Sequence, residues 1–343
     1  MNLAAIYAEV KQRVDAVDFS ALWHGFTPYR FALYDETRCC FDGSFIEKTD
    51  AFYANTAIEY QGEPIAIWKL SSEPDDLDAL ASSLIHEMFH AFQGASGESR
   101  WPDEMEALFR YEYCAENLAR KLQEAAWMRR ILTDGDVACY APLAASCAYR
   151  RARFPYAYDY EARVEQIEGA ANLVEQRALS QLDAKKGADR LALQLARIAD
   201  PVRCFPIRIL CYDVGAARLG CIRAAHAFDP MPFCDVPFAV QMTEGVPVLT
   251  PAPIDSTELA GAIAHYQSET DAIVQSALQK ADVVQNVHGT LTGVNIWDAR
   301  RSGNCLTSRY FVAYRDGDND VVLDGDFVVE TDDARTLRAL YRQ

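Results

Sequence analysis

The chain is short of positive charge. Its 343 residues carry 33 Lys and Arg against 50 Asp and Glu, a formal charge of -17. Phosphate backbones and anionic lipid need a basic surface, so neither nucleic acid nor membrane is an expected partner. Long apolar runs are missing too: none approaches the roughly 20 residues that cross a bilayer. The first residues, MNLAAIYAEVKQRVDAVDF, are broken by charges every few positions. They lack the apolar stretch of a secretory signal and read as an amphipathic first helix of a soluble, cytoplasmic protein. Ten cysteines are present but no CxxC or CxxH pair, so no thiolate zinc site declares itself. Most sit among apolar residues, where a thiol behaves as a small hydrophobe, and reduced, buried cysteines are expected.

What the chain does have is core. Half of it is apolar, which excludes a disordered or fibrous protein. RFALYDE reads as a strand, and ANTAIEY and PIAIWKL around a Gln-Gly-Glu turn read as a hairpin. Leu77, Leu80, Leu84 and Met88 follow at helical steps, predicting a helix from Leu77 to about Gln93 that starts after a Pro- and Asp-rich loop. Further helices are expected over Asp103–Arg130, Tyr160–Leu182, Asp189–Ile198, Val202–Ala225 and Ser256–Asp282. From about Val284 the pattern changes to short strands punctuated by Asp-Gly, with a closing helix at ARTLRALYR. Asp316-Gly317 and Asp324-Gly325 read as hairpin turns, because the calcium-loop pattern between helices is not met. The expected fold class is α+β: a small antiparallel sheet, a mostly helical body, and a C-terminal β module, divided into residues 1–283 and 284–343.

One pentapeptide carries chemistry: His86-Glu87-Met88-Phe89-His90, an HExxH sequence within the apolar helix LIHEMFHAF. Histidines four apart lie about 40° apart around a helix and one turn along it, so both imidazoles reach one ion. Glu87, between them, is placed to hold a water beside the metal as general base. With six histidines and 21 glutamates, chance produces this pattern in well under about one chain in a hundred. An exposed helix face bearing two histidines is a poor alternative, since the flanking residues are apolar. Neutral imidazoles suit Zn²⁺, one per chain.

A third ligand must lie elsewhere. The continuation HExxHxxGxxH is absent, with Gln93 where its glycine stands. His24, His226, His265 and His288 have no paired setting. In YEARVEQIEGAANLVEQRAL, by contrast, Glu161, Glu165, Glu168 and Glu175 share one helix face by spacing. The bland reading of that face is a solvated stripe partnered by Arg163 and Arg177. The small, apolar setting IEGAA favours Glu168 over Glu165 and over the acids between Asp103 and Glu116. Glu175 fits an acceptor behind a ligating histidine, taking the proton of its other ring nitrogen, as well as it fits a surface position.

HEMFHAFQ followed some eighty residues later by IEGAANLVEQ is similar to the gluzincin-type zinc metallopeptidases, in which a glutamate from a later helix completes HExxH. The resemblance spans about residues 55–225. Leu173 or Val174 stands where an aromatic residue is often found. It implies a zincin-like catalytic body with His86, His90 and Glu168 as metal ligands and Glu87 as general base. Gly169, without a Cβ, then lets two helices approach closely. The resemblance also implies a Tyr, His or Arg over the metal from a later helix, and Tyr212 in CYDVGA fits, with Arg208 one turn before it. Tyr212 reads equally as a core tyrosine, with Arg208 paired to Asp213 or another acid. The expected function is zinc-dependent hydrolysis of a peptide or protein substrate. The alternatives are a catalytically silent metal-binding or regulatory protein on the same scaffold, and a structural clasp closed by a fourth ligand.

Overall fold

The computed structural model describes residues 1–229, 235–285, 287–332 and 335–343. About 52% of the chain is helix and 17% strand, largely segregated along the sequence, so the class is α+β. After α1 (Leu3–Asp15) and the single turn α2 (Phe19–Leu22) comes a five-stranded sheet, ordered β3-β2-β1-β5-β4. Its strands are β1 (Phe31–Tyr34), β2 (Cys39–Phe41), β3 (Ser44–Ile46), β4 (Thr56–Tyr60) and β5 (Glu63–Lys69). The hairpin β4–β5 is antiparallel as expected, but β1 and β5 run parallel, with Phe31 opposite Ala66. The sheet is therefore mixed rather than antiparallel, because β4 and β5 return to β1 from the far side of a long loop. β4 has a partner on one side only and forms an open edge.

The helical body begins with α3 (Leu77–Ala95). Asp76 caps it, accepting from the amides of Asp78 and Ala79. Leu80, Leu84 and Met88 are all buried, each contributing roughly 1.5–3 kcal/mol on burial. Phe89 meets Trp23 and Phe26 edge-on at 5.1 and 5.2 Å, which fixes the helix against the N-terminal segment.

The single helix expected over Asp103–Arg130 is two: α4 (Glu104–Arg110) and α5 (Ala115–Asp134), joined by an extended link from Tyr111 to Cys114. Tyr111 and Tyr113 turn that link inward, against Glu161 and the start of a later helix, which outweighs local helix propensity. α6 (Tyr140–Arg153) follows, then α7 (Pro155–Val164) and α8 (Ala170–Leu182). One π turn, Glu165–Gly169, joins these last two into one long helix. α9 (Ala184–Ile198), α10 (Ile207–Ala224), α11 (Phe238–Gln241) and α12 (Thr257–Lys280) complete the body.

The C-terminal module consists of two small sheets. β6 (Thr290–Val294), β9 (Phe311–Asp316) and β10 (Asn319–Asp324) form one; β7 (Arg301–Ser302), β8 (Cys305–Ser308), β11 (Phe327–Thr331) and β12 (Leu337–Arg342) form the other. Asp316-Gly317 is the expected hairpin turn, with Gly317 at φ +59°. Asp324-Gly325 is not: it carries the chain from one sheet to the other. Nor does a helix close the chain. Leu337–Arg342 of ARTLRALYR, whose Ala334 lies outside the described residues, is strand β12, because Leu337 and Leu340 fill the module core beside β11. Met105, Leu108 and Phe109 of α4 join that core, and Val274 and Ala277 of α12 pack on Cys305 and Val328. The module is thus anchored to the body at two helices.

All nine described cysteines are free thiols, and all but Cys114 are fully buried; Cys234 lies outside the described residues. Among the described residues no helix is long and apolar enough to cross a membrane.

Candidate metal centre

α3, the π turn, α8 and α10 meet around one point. His86 Nε2 and His90 Nε2 stand 3.1 Å apart, and Glu168 Oε2 lies 3.7 and 3.3 Å from them. Three ligands held tetrahedrally by bonds of about 2.0–2.1 Å would stand roughly 3.3 Å from one another. The observed triangle brackets that value.

The tautomers of both histidines follow from their other nitrogens. Gln93 Nε2 donates to the backbone carbonyl of Ile167 at 3.1 Å, an atom that can only accept. This orients the amide so that Gln93 Oε1, 2.8 Å from His90 Nδ1, accepts a proton from that nitrogen. His90 Nε2 is left with its lone pair. His86 Nδ1 lies 3.2 Å from Glu175 Oε2, off the axis of a good hydrogen bond but facing an anion, so its proton belongs there. With both imidazoles neutral in these tautomers, two lone pairs and a carboxylate oxygen converge, the donor set of a metal ion.

Charge tells the same story. Glu87, Glu104, Glu168 and Glu175 are met by two guanidiniums, Arg190 and Arg208, the first 3.1 Å from Glu175 and the second 2.9 and 3.0 Å from Glu104 and Glu168. With both imidazoles neutral, an excess of two negative charges remains, that of one divalent ion. Burial disfavours the His86 imidazolium, yet Glu168 and Glu175 outweigh it and raise its pKa to about 10: the anions that would draw a metal ion to this point draw a proton to His86, which the ion would displace. Burial pushes the Glu168 carboxyl up, and His90, His86 and Arg208 hold it well below the usual carboxylate range.

Glu87 is half-buried at the cleft, and among the described residues no side chain hydrogen-bonds it. Burial raises its pKa, opposed by His86 and His90. The cleft, of about 580 Å³, is also lined by Asn55 and Thr56 at the open sheet edge, Trp68, Tyr212 and Trp297.

The expected residues are thus brought together: His86, Glu87, His90, Glu168 and Tyr212 line one cleft, and Glu175 backs His86. The glutamate face is not a solvated stripe. Glu161 and Glu165 point away from the histidines into a closed set of ion pairs with Lys121, Arg150 and Arg218, while Arg163 pairs with Asp159 and Arg177 donates to the Leu22 carbonyl. The π turn is the reason: it sets the helix phase back by about one residue, near 100°, between the two pairs of glutamates. Gly169 does permit a close approach, but to α10. A Cβ there would sit 2.5 Å from the Gly215 Cα.

Arg208 does not pair with Asp213, whose partner is Arg197 at 3.7 Å; it bridges Glu104 and Glu168 and donates to the Tyr212 hydroxyl. Tyr160 in turn donates to Glu104 at 2.8 Å. Four contributors have roles the sequence did not disclose, Glu104 entering there only among the acids weighed as a third ligand. Gln93 has a local signal, three residues after His90. Glu104, Arg190 and Trp297 have none, since folding alone brings them in. A second group, Glu161, Glu165 and Cys211, also has ligand atoms within metal-binding distance, but its carboxylates are filled by Lys121 and Arg218. Compared with protein-family models, curated proteins and solved structures, the chain matches none.

Proposed function

We propose that this protein is a zinc-dependent hydrolase of peptide bonds, with Zn²⁺ held by His86, His90 and Glu168. The observation that carries the reading is the convergence of two lone-pair nitrogens and a carboxylate oxygen beside an unengaged glutamate. The donor set of two imidazoles and one carboxylate suits zinc and leaves a coordination position for water. Among the described residues the group holds three ligands, so a structural clasp closed by a fourth is not favoured.

When bound, the ion supplies a Lewis acid that polarises the scissile carbonyl and lowers the pKa of water. Glu87 takes the proton from the attacking water and returns it to the leaving amine. Its raised pKa suits a group that must hold a proton briefly before giving it up. Tyr212 and Arg208 face the site from α10. Arg208 can only donate, so the Tyr212 oxygen accepts from it, while the Tyr212 hydrogen points to the Glu168 carboxylate and would have to turn from there to reach a developing oxyanion. Burial, then the Glu168 charge, push the Tyr212 pKa far up, which keeps that hydrogen in place. The unpaired edge of β4, with Thr56 in the cleft wall, offers backbone groups to an extended peptide.

The test is metal analysis together with digestion of a complex peptide mixture. About one zinc per chain is expected, with cleavage abolished by a chelator and restored by Zn²⁺. A His86→Ala chain that keeps full zinc would overturn the ligand set. A zinc-loaded protein that cleaves no peptide would overturn the hydrolase reading and favour a silent metal-binding protein.

A further inference from the structure

Next to the metal centre lies a second cleft, of about 500 Å³, lined by four tyrosines and, around them, by the charged side chains of Glu104, Glu112, Arg208, Arg300 and Arg301. Tyr111 and Tyr113 of the α4–α5 link, Tyr160 of α7 and Tyr266 of α12 line it, with Ile207 and Ile263 between them. The rings form a chain: Tyr160 to Tyr111 at 5.7 Å, Tyr111 to Tyr113 at 5.1 Å, Tyr113 to Tyr266 at 5.5 Å. Their hydroxyls are engaged within the protein. Tyr111 donates to Glu161, Tyr160 to Glu104, and Tyr113 accepts from the Ile207 amide and bonds Tyr266. What the cleft presents is therefore ring surface rather than free hydroxyl groups.

This cleft and the metal centre are neighbours on either side of Arg208. Arg208 belongs to the walls of both, and so does the link between β6 and β7. Trp297 in that link lies over the metal cleft, 5.4 Å from the Tyr212 ring, while Ile296, Ala299 and Arg300 close the tyrosine cleft. The link is held firmly. The Ala299 amide donates to the Asn295 carbonyl at 3.0 Å, the Asn295 amide to Ser308 at 3.0 Å, and the Arg300 amide to Thr307 at 3.0 Å. Arg300 also lies 4.5 Å over the Tyr266 ring. The C-terminal module thus contributes wall to both clefts, Trp297 to the metal cleft and Ile296, Ala299 and Arg300 to the tyrosine cleft.

Resting on the peptidase reading, we infer that the tyrosine-walled cleft is a specificity pocket for an aromatic side chain of the peptide substrate, beside the bond that is cut. A ring entering there finds faces and edges for offset or edge-on contact, which an aliphatic chain does not exploit.

The experiment is a cleavage-site profile of the zinc-loaded protein on a proteome-derived peptide library, repeated with two variants. Ile263→Trp fills the cleft; Tyr266→Leu keeps its apolar bulk but removes the ring. Wild type is expected to favour Phe, Tyr or Trp at one position next to the cut, by roughly ten-fold or more over Ala in kcat/KM on matched synthetic peptides. Both variants should fold and retain zinc, Tyr266→Leu with a lower melting temperature because it loses the bond to Tyr113 and the contact with Arg300, and in each that ratio should collapse toward one, through KM more than kcat. A wild type that cleaves in a chelator-sensitive way without aromatic preference overturns the pocket and leaves the peptidase reading standing. So does a folded variant, either one, that keeps the preference. A wild type that cleaves nothing overturns both.

Discussion

One helix, Pro155–Leu182, supplies glutamates to two charge clusters that obey opposite rules. On one side of the π turn, Glu161 and Glu165 join Glu124 against Lys121, Arg150 and Arg218, three anions with three cations, all within a few per cent of complete burial. On the other side, Glu168 and Glu175 join Glu87 and Glu104 against only Arg190 and Arg208, and they open onto a cleft. The inner cluster is satisfied, as buried charge must be if the fold is to stand. The outer one is left two charges short of balance at a point where three ligand atoms meet. Residue type does not separate the two; arrangement does, and an unbalanced cluster at a cleft marks chemistry where a balanced one marks structure.

The comparison is broken most sharply by asking the same Glu→Gln substitution to give different losses. At Glu87 it should remove the general base and lower kcat by about 10²–10⁴-fold, with zinc content and unfolding unchanged. Peptide turnover and metal analysis on the same preparation check this. An E87Q enzyme with wild-type kcat would remove Glu87 from the chemistry.

Within the inner cluster, Glu165→Gln leaves Arg218 and Lys121 short of one negative charge in a sealed interior. It should cost about 3–5 kcal/mol in urea unfolding while the folded fraction still binds zinc. Glu168→Gln, three residues further on, should do the reverse. Arg208 keeps Glu104, so stability moves little, and zinc affinity falls. Acid should find the inner cluster as well. Burial pushes the Glu161 carboxyl up, but Arg150 and Lys121 outweigh it and hold it at about 2, against an ordinary 4.5. Its contribution is present in full above the unfolded value and is lost as pH falls from about 4.5 to about 2. Urea midpoints across that window should drop in wild type, and by less in a Glu161→Gln chain.

How much of this could be read from the sequence depends on the range of the interaction. His86, Glu87 and His90 are set by one helical turn, and Glu168 by a small apolar context unlike that of Glu161. The α+β order and the edge hairpin followed from periodicity. The π turn did not, because its cause is a long-range contact: Gly169 against Gly215, with the Glu165 carbonyl 2.7 Å from where a Gly215 Cβ would stand. An unbroken α-helix puts four glutamates on one face, and no local residue announces the inserted phase. The parallel pairing of β1 with β5, the break at Tyr111–Cys114 and the strand at Leu337–Arg342 share that origin. In each, distant packing overrides a local pattern. The same holds for Trp297, which reaches the cleft only because α4 and α12 anchor the module.

The smallest expected effect tests whether the outer cluster is tuned or merely assembled. Gln93 touches no substrate and no metal in the proposed arrangement; its amide ties His90 Nδ1 to the Ile167 carbonyl, two residues before Gly169 on the other helix. It acts on both sides of the site at once, fixing the His90 tautomer and the distance between α3 and the π turn. Gln93→Leu keeps the bulk, loses both bonds and leaves the Ile167 carbonyl unpaired, so zinc affinity should fall by about 10–100-fold. Gln93→Glu restores the acceptor for Nδ1 but sets it against the carbonyl, and should recover part of that loss. Competition with a zinc-chelating dye measures both. Wild-type affinity in the Gln93→Leu chain would mean that HExxH and Glu168 hold the metal without help, and that Gln93 belongs with the inner, structural cluster after all.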